Sequence, residues 1–262
     1  MTDDVLPGTT CAPDRREALI AHLRAHGEVE VATLPQRFGV SVETIRRDLR
    51  SLEESGRVRR SYGRVTAADS GSFESSRDFR EQHLTDEKER IAKAAVRHLE
   101  DAETVFLDEG YQPLLVGRAL PTDRDLTVVT ASLPTALEMA ERPRTQVVVI
   151  GGRLRRVTMG TVERWATRML RDIEPDIAFI GANGVSDEGW MTTPSPSVAE
   201  VKETVVSIAQ RAVFVGSHTK FSHSTFARFG HARDFERVIT GKELRATTAR
   251  RLTALGATVE RV

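Results

Sequence analysis

From residue 104 onward, the chain alternates short apolar runs with segments of helical pattern. The apolar runs lie at 104–107, 126–130, 146–150, 177–180, 212–215 and 237–240, with a weaker one at 258–262. The helical segments between them lie near 112–120, 132–142, 161–173, 198–210 and 242–255, and a further helix at 84–100 precedes the first run. Such alternation predicts an α/β fold in which a doubly wound, mostly parallel sheet has helices on both faces.

The N-terminal part has a different pattern, which predicts a small trihelical unit followed by a hairpin. Helices are expected at about 14–26, 33–38 and 42–54, with Asp14, Thr33 and Ser41 as N-caps and Thr85 capping the first helix after the linker. A β-hairpin is expected at about 58–66, with Gly63 near its tip. In the third helix, four apolar residues recur at helical spacing and predict an inward face, namely Val42, Ile45, Leu49 and Leu52.

Charge is distributed unevenly along a chain whose formal net charge is zero. Residues 41–66 contain seven arginines and four acidic residues, so this segment is locally basic. The outward face of the third helix carries arginines and hydroxyls, whereas Asp48 falls nearer the packed face and is expected to pair with an arginine.

Arginines and hydroxyls on the last helix of a trihelical unit suit the major groove of DNA. An arginine can bond a guanine edge through two donors, and a helix N-terminus can hold a phosphate. The hairpin would act as a wing against the backbone or the minor groove. The predicted DNA-binding residues are Ser41, Thr44, Arg46, Arg47 and Arg50 on the helix and Arg59, Arg60 and Arg64 on the wing.

These patterns divide the chain into four parts. We expect a disordered tail at 1–13, a winged helix-turn-helix at 14–68, a linker at 69–84 and an α/β domain at 85–262. No apolar stretch is long enough for a membrane helix, and the N-terminus lacks the pattern of a secretory signal, so a cytoplasmic location is expected. Cys11 is the only cysteine. We predict no catalytic residue, no cofactor and no metal, since His218 and His223 lack a convincingly spaced carboxylate partner.

The N-terminal pattern resembles that of the DeoR-type bacterial regulators, and the resemblance continues along nearly the whole chain. In the first unit it is carried by Leu34, Phe38, Val40, Ser41, 44–49, Leu52, Glu53 and Gly56. Further along, it is carried by Phe73, Arg77, Lys88, Ile91, Ala92, 106–108, 126–130, Gly151, Gly152, Gly160, 179–184, 200–202, Lys220 and Phe221.

The resemblance implies a winged helix fused to a domain similar to ribose-5-phosphate isomerase, glucosamine-6-phosphate deaminase and CoA transferases. It implies a repressor of sugar or polyol operons that is released from double-stranded operator DNA by a small effector such as a sugar phosphate. Glycine-containing loops after parallel strands can hold such an anion. The predicted effector-binding residues are Asp108, Gly110, Tyr111, Gln112, Thr130, Gly151, Gly152, Gly181, Ala182, Asn183, Lys202 and Lys220.

This sequence departs from the family pattern at several positions near the expected phosphate. Tyr111 and Gln112 stand where the family usually has hydroxyl residues, and Ala131 stands where it usually has asparagine. Ser197 and Val198 stand in place of an acid-rich pair. The sequence also departs from the family pattern at residues 217–220 and at residues 62–64 of the wing tip. The changes weaken the phosphate donors of the first loop, so a changed effector, a weaker effector and no effector also remain open.

Three functions therefore remain open from the sequence. The first is a ligand-responsive repressor, assembled as a homodimer or homotetramer because one winged helix reads few base pairs. The second is a sugar-phosphate isomerase or deaminase with an added DNA-binding head, in which Asp108 or Glu109 would be the base. The third is a regulator whose α/β domain only oligomerises.

Overall fold

The computed structural model of the protein describes residues 11–54, 57–67, 80–81 and 84–262. The chain divides into two units, Met1–Arg80 and Glu81–Val262. The expected tail lies outside the described residues as far as residue 10, and so do positions 69–79 and 82–83 of the expected linker. Gly56, Phe73 and Arg77, which contributed to the family resemblance, lie outside them as well.

The N-terminal unit consists of three helices and a small antiparallel sheet. Its elements are α1 (Ala12–His26), β1 (Val29–Glu30), α2 (Leu34–Phe38), α3 (Val42–Glu54), β2 (Val58–Ser61) and β3 (Arg64–Ala67). The sheet has the strand order β1-β3-β2, so β1 adds a third strand to the expected hairpin. The core contains Leu19, Leu23, Phe38, Ile45 and Leu49, which come from all three helices.

Two sequence predictions for this unit are wrong. Helix α1 begins at Ala12 rather than after Asp14, so residues 12 and 13 of the expected tail are helical. Proline is compatible with a first helical turn, and Asp14 lies in that turn, where its charge suits the helix dipole. Val42 is 52% exposed rather than inward, because it is the first residue of α3 and the buried face begins one turn later at Ile45.

The C-terminal unit is built on a seven-stranded parallel sheet, as the alternating pattern predicted. Its strands are β4 (Thr104–Leu107), β5 (Leu126–Thr130), β6 (Thr145–Val149), β9 (Ile177–Ile180), β12 (Arg211–Val215), β14 (Arg237–Thr240) and β15 (Val259–Arg261). Its helices are α4 (Thr85–Val96), α5 (Tyr111–Ala119), α6 (Leu133–Ala140), α7 (Arg164–Leu170), α8 (Pro196–Ile208) and α9 (Ala246–Ala254). Leu84, not Thr85, occupies the N-cap position of α4.

Both faces of the sheet are buried, which explains why its strands are apolar without alternation. Leu107 and Phe179 pack on one face with α4 and α5, whereas Phe106 and Ile180 pack on the other face with α7 and α8. Neighbouring residues of one strand thus belong to two separate cores. The doubly wound α/β class is confirmed.

The strand order is β15-β14-β12-β9-β4-β5-β6. From β4, the chain first adds β5 and β6 on one side and then returns to add β9 and the remaining strands on the other. The order therefore reverses between β4 and β9. In open α/β sheets, the crevice at the carboxyl ends of the strands beside such a switch point is where ligands bind.

Two antiparallel additions were not predicted. The strands β7 (Arg153–Arg155) and β8 (Gly160–Val162) form a hairpin after β6, so α7 begins at Arg164 rather than near residue 161. The strands β10 (Gly184–Val185), β11 (Trp190–Thr193) and β13 (Ala227–His231) form a second small sheet. None of the described helices combines the length and the apolar character needed to span a membrane.

Candidate DNA-binding and effector sites

The N-terminus of α3 is organised by two hydroxyl side chains. The backbone N–H of Thr44 donates to Ser41 Oγ at 3.1 Å, which satisfies one of the free donors at the start of the helix. The hydroxyls of Ser41 and Thr44 also pair at 2.8 Å. Ser41 thus caps α3 as expected, and both predicted residues lie in the first turn of that helix.

The outer face of α3 presents three arginines to solvent. Arg46, Arg47 and Arg50 are exposed, while Ile45 and Leu49 on the opposite face are fully buried. The buried face fixes the rotation of α3 on the unit, so the arginines point away from the core. This arrangement offers guanidinium donors along a helix at the spacing of one turn, as reading base edges in a major groove requires.

A buried ion pair holds α3 on α1. The carboxylate of Asp48 accepts from Arg15 Nε at 2.5 Å and from Arg16 Nε at 3.0 Å. Asp48 and Arg15 are buried, and Arg16 is partly exposed. Asp48 therefore has the structural role that its position near the packed face predicted, and it orients the helix that carries the exposed arginines.

The wing is the hairpin of β2 and β3. Arg60 Nη1 lies 3.7 Å from Glu53 Oε2, and Arg64 Nε lies 2.9 Å from Glu28 Oε2. Both pairs are exposed, and such pairs are weak, so a phosphate can replace either carboxylate. Tyr62 stands fully exposed at the tip, with φ of 46°. The backbone of Arg59 pairs with Thr66, and its side chain lies outside the described atoms.

In the second unit, the switch-point crevice contains a buried ion pair. Lys202 Nζ bonds Asp108 Oδ2 and also donates to the carbonyl of Gly181 at 3.1 Å. The N–H of Gly181 donates to the same Asp108 oxygen at 3.0 Å. Asp108 follows β4, Gly181 follows β9 and Lys202 lies on α8, so three predicted residues meet where the strand order reverses. Ala182 and Asn183 continue the same loop and are half-buried.

The first loop of the crevice is tied to α4 by the side chain of Gln112. Gly110 is the N-cap of α5 with φ of 110°. The side chain of Gln112 is buried and donates from Nε2 to the carbonyl of Lys88 at 2.9 Å, while its Oε1 has no hydrogen-bond partner among the described residues. Tyr111 is half-buried, with Lys88 Nζ 5.5 Å from its ring centroid. Gln112 thus ties α5 to α4, and its amide oxygen remains available to a donor.

Three other predicted residues have structural partners. Thr130 Oγ1 donates to the carbonyl of Leu107 at 2.6 Å and accepts from Ser132 N at 3.0 Å. Gly151 and Gly152 follow β6, two strands from β4 in the sheet order. Gly152 has φ of 146°, and a Cβ there would lie 2.5 Å from the carbonyl oxygen of Val162. This close approach of backbone to backbone explains the glycine.

Lys220 ends the 3-10 turn His218–Lys220 after β12, the strand next to β9, and it is half-buried. The expectation that His218 lacks a carboxylate partner is wrong. His218 Nδ1 lies 2.9 Å from Glu87 Oε2, and the backbone N–H of His218 donates to Glu87 Oε1 at 2.7 Å. This hydrogen bond with Glu87 raises the pKa of His218 above its usual value. Because 131 residues separate the partners, no local sequence pattern could have paired them.

Glu109, the second candidate base of the enzyme hypothesis, is also engaged. Thr158 Oγ1 donates to Glu109 Oε2 at 2.6 Å, and Arg155 Nη1 lies 3.6 Å from Glu109 Oε1. Like the carboxylate of Asp108, that of Glu109 is buried and has partners from a later part of the chain. Neither carboxylate stands in the crevice as an isolated base.

Two family descriptions match the two units. The DeoR-like helix-turn-helix domain matches residues 15–71. The DeoR C-terminal sensor domain matches residues 83–242, which is more than half of the chain.

Curated relatives match over most of their length. The chain is 32% identical to the HTH-type transcriptional regulator GlpR of Haloferax volcanii, over 87% of this chain and 89% of that protein. It is 26% identical to the glycerol-3-phosphate regulon repressor of Escherichia coli (strain K12), over 86% of this chain and 89% of that protein. Among solved structures, ribose 5-phosphate isomerase A of Methanocaldococcus jannaschii is 19% identical over 52% of this chain and 54% of that chain, with a TM-score of 0.39.

Proposed function

Since the chain belongs to the DeoR family of DNA-binding transcriptional regulators, we propose that it represses genes of carbohydrate or related metabolism and is controlled by a small effector. The observation that carries this proposal is the capped helix α3 with Arg46, Arg47 and Arg50 exposed on one face. The partner is double-stranded operator DNA. We propose a cytoplasmic location because the operator DNA of bacteria and archaea lies in the cytoplasm.

We propose that α3 reads bases while the wing contacts the backbone or the minor groove. A gel shift on DNA from the region upstream of the protein's own gene tests this assignment. Arg47→Ala is expected to cost about 1–3 kcal/mol of binding and to relax the sequence preference. Arg250→Ala removes the same charge from an exposed position on α9 and serves as the control. Unchanged affinity and unchanged preference in Arg47→Ala would show that α3 is not the reading helix.

We propose that the effector binds at the switch point between β4 and β9. Three features support a small ligand that carries hydroxyl donors, a class to which sugar phosphates belong. They are the half-buried loop Gly181–Asn183, the side chain of Lys220, and Gln112 Oε1, which accepts no hydrogen bond from the described residues. Lys202 is neutralised by Asp108, so a phosphate would depend on backbone N–H groups and on Lys220. The name of the Escherichia coli relative, which contains glycerol 3-phosphate, agrees with this ligand class.

A thermal-shift screen tests whether an effector binds. It separates the ligand-responsive repressor from the regulator whose α/β unit only oligomerises. The panel pairs glycerol 3-phosphate, ribose 5-phosphate and fructose 1-phosphate with their unphosphorylated parents. A ligand that binds only the folded protein raises its Tm. We expect one phosphorylated compound to shift Tm more than its parent, and we expect Lys220→Gln to lose this difference. Lys242→Gln, at an exposed position, is the control. If no compound shifts Tm, the result favours the alternative in which the α/β unit only oligomerises.

We propose that two or more copies assemble through the edge of the sheet beyond β6. Among the described strands, β6 pairs only with β5, and the chain around and after β6 carries exposed apolar side chains. They include Val149, Leu154, Val157, Trp165 and Met169, which we call the β6 edge surface. Met169 Sδ accepts from the N–H of Gly151, so α7 packs directly on the turn after β6. A second copy would bury this surface and bring two DNA-binding units together.

The enzyme hypothesis has no support from the site. The matched relatives are named as regulators, and the two carboxylates that would serve as a base are paired with Lys202 and with Thr158 and Arg155. A general base has to be free to take a proton from its substrate.

A further inference from the structure

Three potential metal ligands converge at the carboxyl edge of the parallel sheet. Glu87, His218 and Glu243 each offer one ligand atom, and these atoms all lie within 4.8 Å of one another. They come from the first turn of α4, from the turn after β12 and from the turn after β14. We propose that they form a binding site for a divalent transition-metal ion.

Glu87 and His218 are held in a fixed arrangement. Glu87 is buried, and one of its oxygens accepts from the backbone N–H of His218 at 2.7 Å. Its other oxygen lies 2.9 Å from His218 Nδ1. Two ligands that each lie about 2.0–2.1 Å from a zinc ion are separated by roughly 3.3 Å in a tetrahedral site. A metal ion can therefore replace the shared proton with only a small movement of the two side chains.

The third ligand is oriented from the opposite side. Arg90 Nη2 donates to Glu243 Oε1 at 2.6 Å, which leaves Glu243 Oε2 to face the cluster. Partners that hold a ligand carboxylate in this way are typical of metal sites. Both carboxylates also lie close to Gly241. A Cβ added to this glycine would collide with the oxygens of Glu87 and of Glu243. The glycine thus permits the two carboxylates to approach each other.

The carboxylates of Glu87 and Glu243 each offer a ligand atom, and these atoms lie within 4.8 Å of each other. At this distance the two charges repel each other, and a cation between them offsets the repulsion. In the structure, the groups that can offset this repulsion are the imidazole of His218, paired with Glu87, and the guanidinium of Arg90, paired with Glu243. A divalent ion bound among the three ligands brings two positive charges, whereas protonation of His218 brings one. Two carboxylates and one imidazole suit Zn²⁺ or Mn²⁺, and three protein ligands leave a position for water.

Metal binding at this site would connect three parts of the α/β unit. Helix α4 is the first element after the predicted linker, and the other two ligands lie on the turns that follow β12 and β14. An ion bound only by the folded unit stabilises it. The proposed ion would therefore fix the first turn of α4 against the sheet edge.

Isothermal titration of the chelator-treated full chain with ZnCl₂, and separately with MnCl₂, tests the proposal. We expect saturable binding of one ion per chain together with a rise in Tm. His218→Gln is expected to weaken binding of the ion by about tenfold or more, since it removes one of three ligands, and Glu243→Gln to weaken it similarly. His223→Ala removes a histidine of the same loop that is not part of the cluster, and it should leave the affinity unchanged.

Two results would overturn the proposal. One is the absence of saturable binding of either ion to the wild-type chain, which would make the cluster an ion pair centred on protonated His218. The other is wild-type affinity in both His218→Gln and Glu243→Gln, which would place the ion elsewhere, for example at His22 and His26, whose rings lie 4.2 Å apart. Far-UV circular dichroism of the metal-free variants shows whether each one is folded. Glu243 is exposed, so its variant is the less disruptive of the two.

Discussion

At the scale of single residues, Asp48 links the stability of the N-terminal unit to the position of α3. Its carboxylate is buried between Arg15 and Arg16. Replacement by asparagine keeps the shape but removes the negative charge that Arg15 and Arg16 share, and breaking a buried pair in this way costs about 3–5 kcal/mol. We expect Asp48→Asn to destabilise this unit by about that amount.

Hydrogen exchange of the α1 and α3 amides measures this effect locally, without interference from the second unit. Glu43→Gln removes a carboxylate from an exposed position on the same helix and is expected to change the opening free energy very little. Equal protection of the amides in wild type and Asp48→Asn would mean that the ion pair does not hold α3 on α1.

Single residues also show where sequence analysis reaches its limit. The spacing of apolar residues predicted that Asp48 would lie near the packed face, because a helical period is a local property. The same spacing wrongly predicted that Val42 faces inward, since a helical period does not show where the neighbouring helices end. The partners of Lys202 and His218 lie 94 and 131 residues away. Only the fold brings these charges together.

At the scale of elements, buried strands were predicted more accurately than exposed ones. Strands β4, β5, β9 and β14 have the predicted bounds, because continuous burial on two faces requires continuous apolar sequence. The hairpin of β7 and β8 has three residues per strand and carries arginines, so its sequence resembles a loop. The small sheet of β10, β11 and β13 depends on pairing between distant segments, which local patterns do not encode.

The wing is an element whose contribution to binding differs from that of α3. Arg60 and Arg64 form exposed ion pairs with Glu53 and Glu28. If each arginine neutralises a phosphate, Arg60→Ala and Arg64→Ala should weaken binding to all sequences alike. The slope of log K against log salt should also become shallower by about 0.9 for each phosphate that is no longer neutralised.

Fluorescence anisotropy with operator and unrelated DNA at several salt concentrations measures both quantities. Arg250→Ala again controls for the loss of one positive charge. A wing variant that lost affinity only for the operator, at an unchanged salt slope, would indicate that the arginine reads a base rather than binds a phosphate.

At the scale of the whole molecule, the proposed function requires more than one copy of the chain. One winged helix reads too few base pairs for useful specificity, so affinity for an operator depends on assembly. The β6 edge surface is where we expect assembly to occur. Trp165 is 77% exposed there, one helical turn before Met169 on the same face of α7. Aromatic residues and methionine are enriched at the centres of protein interfaces.

Trp165→Glu would place a charge at the most exposed residue of this surface, and burying an unpaired charge is costly. We therefore expect wild type to sediment as a dimer or tetramer and Trp165→Glu to dissociate at the same concentration, with a corresponding loss of operator affinity. Phe226→Glu alters a similarly exposed aromatic residue outside the surface and should leave the mass unchanged. Sedimentation velocity distinguishes the outcomes. A monomeric wild type would contradict assembly itself, whereas an oligomeric Trp165→Glu would show that the copies meet through another face.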